Sequence, residues 1–238
     1  MKPVSLILPR TTIALLIALS IGVMTSPGRA AGTSSFVVET VEYDDVLEDE
    51  SGLDPRAEAP APNASIGRFG PFVVVDATTV ELRGTIEHDT PLRFRAMMAA
   101  FPGIKLMRMV ECPGSEDDDA NLMLARMVRK AGISTVVPSY GSVRSGGVDL
   151  FFAGVTRTIV PGAQFGVHSW RDDEGHEATD FAADDPVHGD YIRYYIEMGM
   201  QPEQARSFYS FTNRVAPSSG VHYMTGRELS DFGLASLN

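Results

Sequence analysis

The residues of this sequence that could do chemistry together lie in one stretch, residues 141–168, where a serine, two glycines and a histidine fall at telling places. Arg144-Ser145-Gly146-Gly147 is a turn of small residues that runs straight into an apolar segment, residues 148–153, which Gly154 ends. A serine placed there stands where a loop becomes a helix. Its hydroxyl is exposed, and the next backbone N–H groups are not yet committed to helical bonds. Such N–H groups can hold an oxyanion. The chain then turns at Pro161-Gly162, and residues 164–167 read as a short strand that delivers His168 at its end. Ser145 and His168 could then meet as nucleophile and general base, the working pair of a serine hydrolase. Taken alone, the same two residues also read as a helix N-cap and a structural histidine.

The helix-opening Ser145, the helix end Ala153-Gly154, the turn proline Pro161 and the histidine His168 resemble the active-site segment of the Clp protease/crotonase superfamily. In particular they resemble its poorly characterised secreted, periplasmic branch of ClpP-like serine hydrolases, and the resemblance covers most of residues 70–235. It implies an α/β domain, a ClpP/crotonase-like spiral of ββα units with a mostly parallel sheet flanked by helices. It also implies roles. Ser145 would be the nucleophile and His168 the general base, acting on a peptide or ester. The N–H of Gly146 would form one half of the oxyanion hole. The other half would come from Gly114 or Ser115, because Cys112-Pro113-Gly114-Ser115 is similar to the family's Ser-Pro-Gly-Gly loop. Ser115 replaces the second glycine, and a glycine-only torsion there would cost a serine on the order of 1 kcal/mol or more.

The family's triad aspartate has no counterpart, since Ala216-Pro217-Ser218-Ser219-Gly220 carries no carboxylate. Asp149, Ser218 and Asn213 are the groups that could orient His168 instead. Asp149, four residues after the serine, could equally stabilise the helix N-terminus. The closing run Tyr223-Met224-Thr225-Gly226-Arg227-Glu228-Leu229, with Phe232-Gly233-Leu234 after it, resembles the family segment in which a small residue and an acid start a short helix. The resemblance further implies homo-oligomers, with the aromatic helices after Tyr191 as the candidate interface.

The elements that must position these residues follow from periodicity and punctuation. Residues 72–76 and 79–82 are β-rich runs separated by Ala77-Thr78, which predicts a hairpin. Asp89 and Pro91 open a helix that Pro102-Gly103 stops, and its apolar composition predicts burial nearly all round. A strand follows over residues 105–111. Ala120, Met123, Leu124, Met127, Val128 and Ala131 then recur at helical spacing up to Gly132, and residues 133–137 return as a strand. Apolar strands alternating with helices predict a parallel sheet, with ligands outside the carboxyl ends of the strands. The loops leaving there are residues 112–119 and 138–144. After His168 a polar stretch, residues 171–186, reads as a long loop over the site, and Trp170, the only tryptophan, could wall a pocket. Tyr191, Ile192, Tyr195 and Met198 form one helical stripe, and Ala205, Phe208, Tyr209 and Thr212 another.

Composition bounds the rest. The 238 residues, 44% of them hydrophobic, suffice for one domain with tails. Lys2 and Arg10 precede a short apolar run that ends before Gly28-Arg29-Ala30, the pattern of a signal peptide over 1–30, cleaved after Ala30. The mature protein is thus expected in the periplasm or secreted, with no stable membrane span after cleavage. Residues 31–65 form an acidic, Pro-rich linker, expected to be disordered, and the ClpP/crotonase-like domain is expected over 66–238. A net charge of −11 argues against a nucleic-acid partner. The single cysteine, Cys112, excludes an internal disulfide and a Cys-based metal cluster. His176 and His188, with Asp184 and Asp185 between them, lack the spacing of ligands on one helix face, so neither a metal nor a cofactor is expected. Two function classes remain, a secreted serine hydrolase and a catalytically silent binding or assembly module. Crotonase-type acyl-CoA chemistry fits poorly, because no basic cluster marks a site for the CoA phosphates.

Overall fold

The structure is a computed structural model that describes residues 65–234. The expected signal peptide, its cleavage site and all but the last residue of the expected linker lie outside the described residues. The described residues open with two antiparallel turns of sheet. β1 (Gly67–Phe69) pairs with β2 (Phe72–Val74), and β2 with β3 (Thr79–Arg83) in the register Phe72↔Leu82 and Val74↔Val80. The hairpin turn is closed by Asp76, whose Oδ1 accepts from the Thr78 N–H at 2.7 Å.

From β3 onward most pairs are parallel, because a helix returns the chain between strands. β3 lies beside β4 (Leu106–Cys112), and β4 is where the sheet forks. Along residues 106–108 it pairs with β5 (Ser134–Val137), which in turn pairs with β7 (Arg157–Ile159). Along residues 111–112 the same edge pairs with β6 (Ser142–Arg144), which continues to β8 (Gln164–Val167). β9 (His222–Tyr223) closes that branch antiparallel to β8. The expected α/β architecture, a mostly parallel sheet flanked by helices, is what the chain forms. β6 and β7 were not expected as strands.

Two helices present other faces than their sequences suggested. α1 (Thr90–Ala100) buries only Thr90, Pro91, Phe94 and Met97, while Leu92 stands 57% exposed. Its apolar count comes largely from alanines and methionines, of which Ala96, Ala99 and Ala100 face outward. α2 (Asp118–Lys130) is capped by Asp117, which accepts from the Ala120 N–H at 2.9 Å, and it carries acids in its first turn and bases in its last. Ala120, Leu124 and Val128 are buried as the stripe predicts, but Met123 is 55% exposed and Asn121, Leu122 and Ala125 are buried instead. The face is rotated toward α3 (Gly146–Phe152), a short, wholly buried helix. α4 (Gly189–Glu197) and α5 (Pro202–Val215) pack over α3 through edge-to-face aromatics: Phe152, Tyr195 and Phe208 lie with ring centroids 5.1 to 5.6 Å apart. α6 (Gly226–Asp231) ends the described chain behind a reciprocal cap between Thr225 and Glu228. Among the described residues no helix is long and apolar enough to cross a membrane.

Candidate active site

β6 and α3 meet at Ser145, and its backbone is unusual. With φ 49° and ψ −128° it is the only non-glycine residue at positive φ among the described residues. Such a torsion costs a side-chain-bearing residue about 1–3 kcal/mol and persists only where the surroundings fix it. Here the Ser145 N–H donates to the Gly166 carbonyl at 2.9 Å, and its own carbonyl accepts from the Val148 N–H at 2.8 Å. From α2 the buried Asn121 donates to the Gly146 carbonyl at 2.9 Å. The sharp corner lifts the hydroxyl out of the sheet and sets it at the start of α3, whose first N–H groups have no partner one turn back.

The loop after β4 comes up against this corner. Gly114 has φ 137°, and a Cβ there would sit 2.9 Å from the Ser145 Cβ, so both torsion and space call for glycine. Ser115 is not at positive φ, which corrects the expected penalty: the glycine-only torsion falls on Gly114, and the strained residue is Ser145. Gly146 approaches Ser115 so closely that a Cβ on it would lie 2.4 Å from the Ser115 Oγ. The loop is pinned on its far side, where the Ile86 N–H donates to the Gly114 carbonyl and the Glu116 N–H to the Ile86 carbonyl, each at 2.9 Å. Neither the Gly114 nor the Ser115 N–H donates to a backbone carbonyl among the described residues. Gly114, Ser115 and Gly146 are therefore brought together beside the serine hydroxyl. Cys112, at the end of β4, is fully buried beneath them, and desolvation pushes its thiol up to about 12. It is packing, not a nucleophile.

His168 follows β8 and is half-buried. Its Nδ1 lies 2.7 Å from the carbonyl oxygen of Ser169. A carbonyl only accepts, so this contact calls for the proton on Nδ1 and leaves Nε2 as the basic nitrogen. The carbonyl is held in place, because Ser169 is fully buried and its N–H donates to Ala216 O at 2.9 Å. Its hydroxyl donates to Trp170 O at 3.1 Å and accepts from the Ala178 N–H at 3.3 Å.

The three groups considered as orienters are bonded elsewhere. Asp149 accepts from the Tyr195 hydroxyl at 2.6 Å. Asn213 accepts from the Trp170 N–H at 3.2 Å and donates to Tyr209 O at 2.8 Å. Ser218 donates to Glu177 through both its N–H, at 2.8 Å, and its hydroxyl. No carboxylate bonds to His168 among the described residues, and the orienting partner is a main-chain oxygen.

Ser145 and His168 open on one cavity, walled also by Asp118, Asp149, Trp170, Tyr191, Tyr195 and Tyr209. Trp170 is fixed by donating its indole N–H to the Tyr209 hydroxyl at 2.7 Å. Asp149 is buried with no cation beside it, and desolvation pushes its carboxyl up to about 7. Asp118, Tyr191 and Tyr195 were not expected in the site. The tyrosines' spacing on α4 was visible, but not that α4 folds over the serine. Away from the cavity, Asp172, Glu174 and His176 bring their ligand atoms within 4.8 Å of one another, but Glu174 and His176 are exposed and His176 is hydrogen bonded to Asp172.

No protein-family model matches the chain, and no curated protein matches it. Solved structures similar to it include two of mutants of the membrane-bound stomatin-specific protease 1510-N, one of them in complex with a substrate peptide. Each is 15% identical; the first covers 67% of this chain and 76% of that one with a TM-score of 0.44, the second 67% and 72% with 0.42. A mutant of ClpP1 from Listeria monocytogenes is 17% identical over 68% of this chain and 91% of that one, with a TM-score of 0.48.

Proposed function

We propose that the chain is an exported, peptidase-like serine hydrolase with Ser145 as nucleophile and His168 as general base. The observation that carries the reading is the corner at Ser145: a strained, non-glycine torsion held at a helix start, against a glycine loop, in the same cavity as a histidine whose Nδ1 is tied down. In this reading the Ser145 Oγ attacks the carbonyl carbon of a peptide or ester while Nε2 of His168 takes its proton. The N–H of Gly146 and that of Gly114 or Ser115 receive the developing oxyanion. Collapse of the tetrahedral species passes that proton to the leaving group and leaves an acyl-serine, which water then hydrolyses by the same route. A carbonyl in place of an acid fixes the tautomer but brings no full negative charge to the imidazolium, so turnover is expected to be slower than with a carboxylate partner.

A fluorophosphonate probe tests this directly. It should label the mature protein at Ser145, with labelling abolished in Ser145→Ala and at least ten-fold slower in His168→Ala. That no carboxylate among the described residues bonds to His168 favours a second reading, a silent binding or assembly module. A folded wild type that stays unlabelled, with a peptide and ester panel untouched, would establish that reading instead.

A further inference from the structure

The cavity beside Ser145 contains a charge arrangement that the hydrolytic chemistry does not use. Asp149, on α3, is only 8% exposed, and Asp118, in the first turn of α2, lines the same cavity. Among the described residues neither is ion-paired. Asp149 accepts from the Tyr195 hydroxyl at 2.6 Å and Asp118 from the Ser115 hydroxyl at 3.1 Å, so each is oriented by a neutral donor. The same cavity is lined by Trp170, Tyr191 and Tyr209.

A buried carboxylate without a cation is costly, and the protein supplies none. A ligand can. A positive group entering the cavity would meet two carboxylates and a wall of aromatic rings, whose π-systems attract cations most strongly where water is excluded. A neutral or acidic group would meet the same carboxylates without that gain. We propose that this cavity is the side-chain specificity pocket of the site and that it takes a cationic group, an ammonium or guanidinium such as that of lysine or arginine, next to the bond being cleaved. The elevation of the Asp149 carboxyl to about 7 has the same origin, a desolvated acid waiting for a counter-charge. This inference rests on the hydrolase reading for its place beside Ser145, but cation recognition itself needs no catalysis.

The test uses the full-length protein and the fluorescence of Trp170, which is the only tryptophan of the chain and lines the cavity. Benzamidine, a planar cation, and benzamide, its neutral counterpart of the same shape, are titrated in parallel. Benzamidine should give a saturable change and bind at least ten-fold more tightly than benzamide. Asp149→Asn and Asp118→Asn should each weaken benzamidine at least five-fold and shrink its advantage over benzamide. Asp118 is exposed, so its variant reports even if the buried Asp149→Asn fails to fold. No saturable benzamidine response, equal affinity for both probes, or an unchanged affinity ratio in the folded variants overturns the proposal. Selective benzamidine binding in a chain that fluorophosphonate does not label keeps the pocket and removes the hydrolase. Labelling without cation preference does the reverse.

Discussion

Asp149 sets a pH dependence opposite in sign to that of the carboxylates whose pKa the fold lowers. Its folded-state pKa is raised from 3.8 to about 7 by desolvation, so the native state holds the proton more tightly than the unfolded chain. Its contribution is therefore most favourable below about pH 4. It falls by about 1.4 kcal/mol per unit as pH rises toward 7, and is constant above. Asp117, Glu177 and Glu228 have lowered pKa values and act in the opposite sense, losing stability as pH falls through their range. Urea melts of wild type and Asp149→Asn at pH 4, 5.5, 7 and 8 should show the variant gaining on wild type as pH rises, by a few kcal/mol at most, and the gap levelling above pH 7. A gap that does not change with pH would mean that this carboxyl ionises alike in both states. At this scale the sequence was informative where chemistry depends on side-chain type, as at Ser145 and His168. It was silent on the oxygen that orients the histidine, because every residue has a carbonyl and only the fold selects that of Ser169.

Between elements, one tether stands out. The loop of residues 171–186 is fastened through Glu177, whose Oε1 accepts both the N–H and the hydroxyl of Ser218, in the segment before β9. Glu177 also closes a reciprocal cap with Asp180 at the short 3-10 turn, Ala178–Asp180. These bonds are near the surface, so Glu177→Ala should cost the global stability little while loosening the loop. Limited proteolysis should then cut within residues 171–186 at least several-fold faster than in wild type, with the thermal midpoint shifted by a few degrees at most. Unchanged cutting would show that Trp170 and the 3-10 turn hold the loop unaided. The elements that were legible are those with strong punctuation or long periodicity: the β2–β3 hairpin around Asp76, α2 behind its acidic cap, and α5 behind Pro202. β6 and β7, at three residues each, are too short to show alternation, and their pairing is decided by other strands, β4 and β8 for β6 and β5 for β7. The exposure of α1 was misread because alanine and methionine count as apolar yet tolerate water.

For the whole molecule, the reading is of an acidic exported chain, and its test is a mass. The form recovered from the periplasm or medium should begin at Ala31, with Lys2, Arg10 and Arg29 removed. A full-length mass in a membrane fraction would indicate an anchor instead. The division of the sheet at β4 has a further consequence for how such a protein can change over time. Ser145 and His168, the pair proposed to do the chemistry, directly follow β6 and β8, while β7, at the end of the other branch, lines no part of their cavity. Substitutions along β7 are expected to act on this site only through stability, whereas those along β6 and β8 must satisfy stability and reaction together. The fork thus sets an outer strand that bears on packing apart from two strands that bear on packing and reaction together, with β4 joining them.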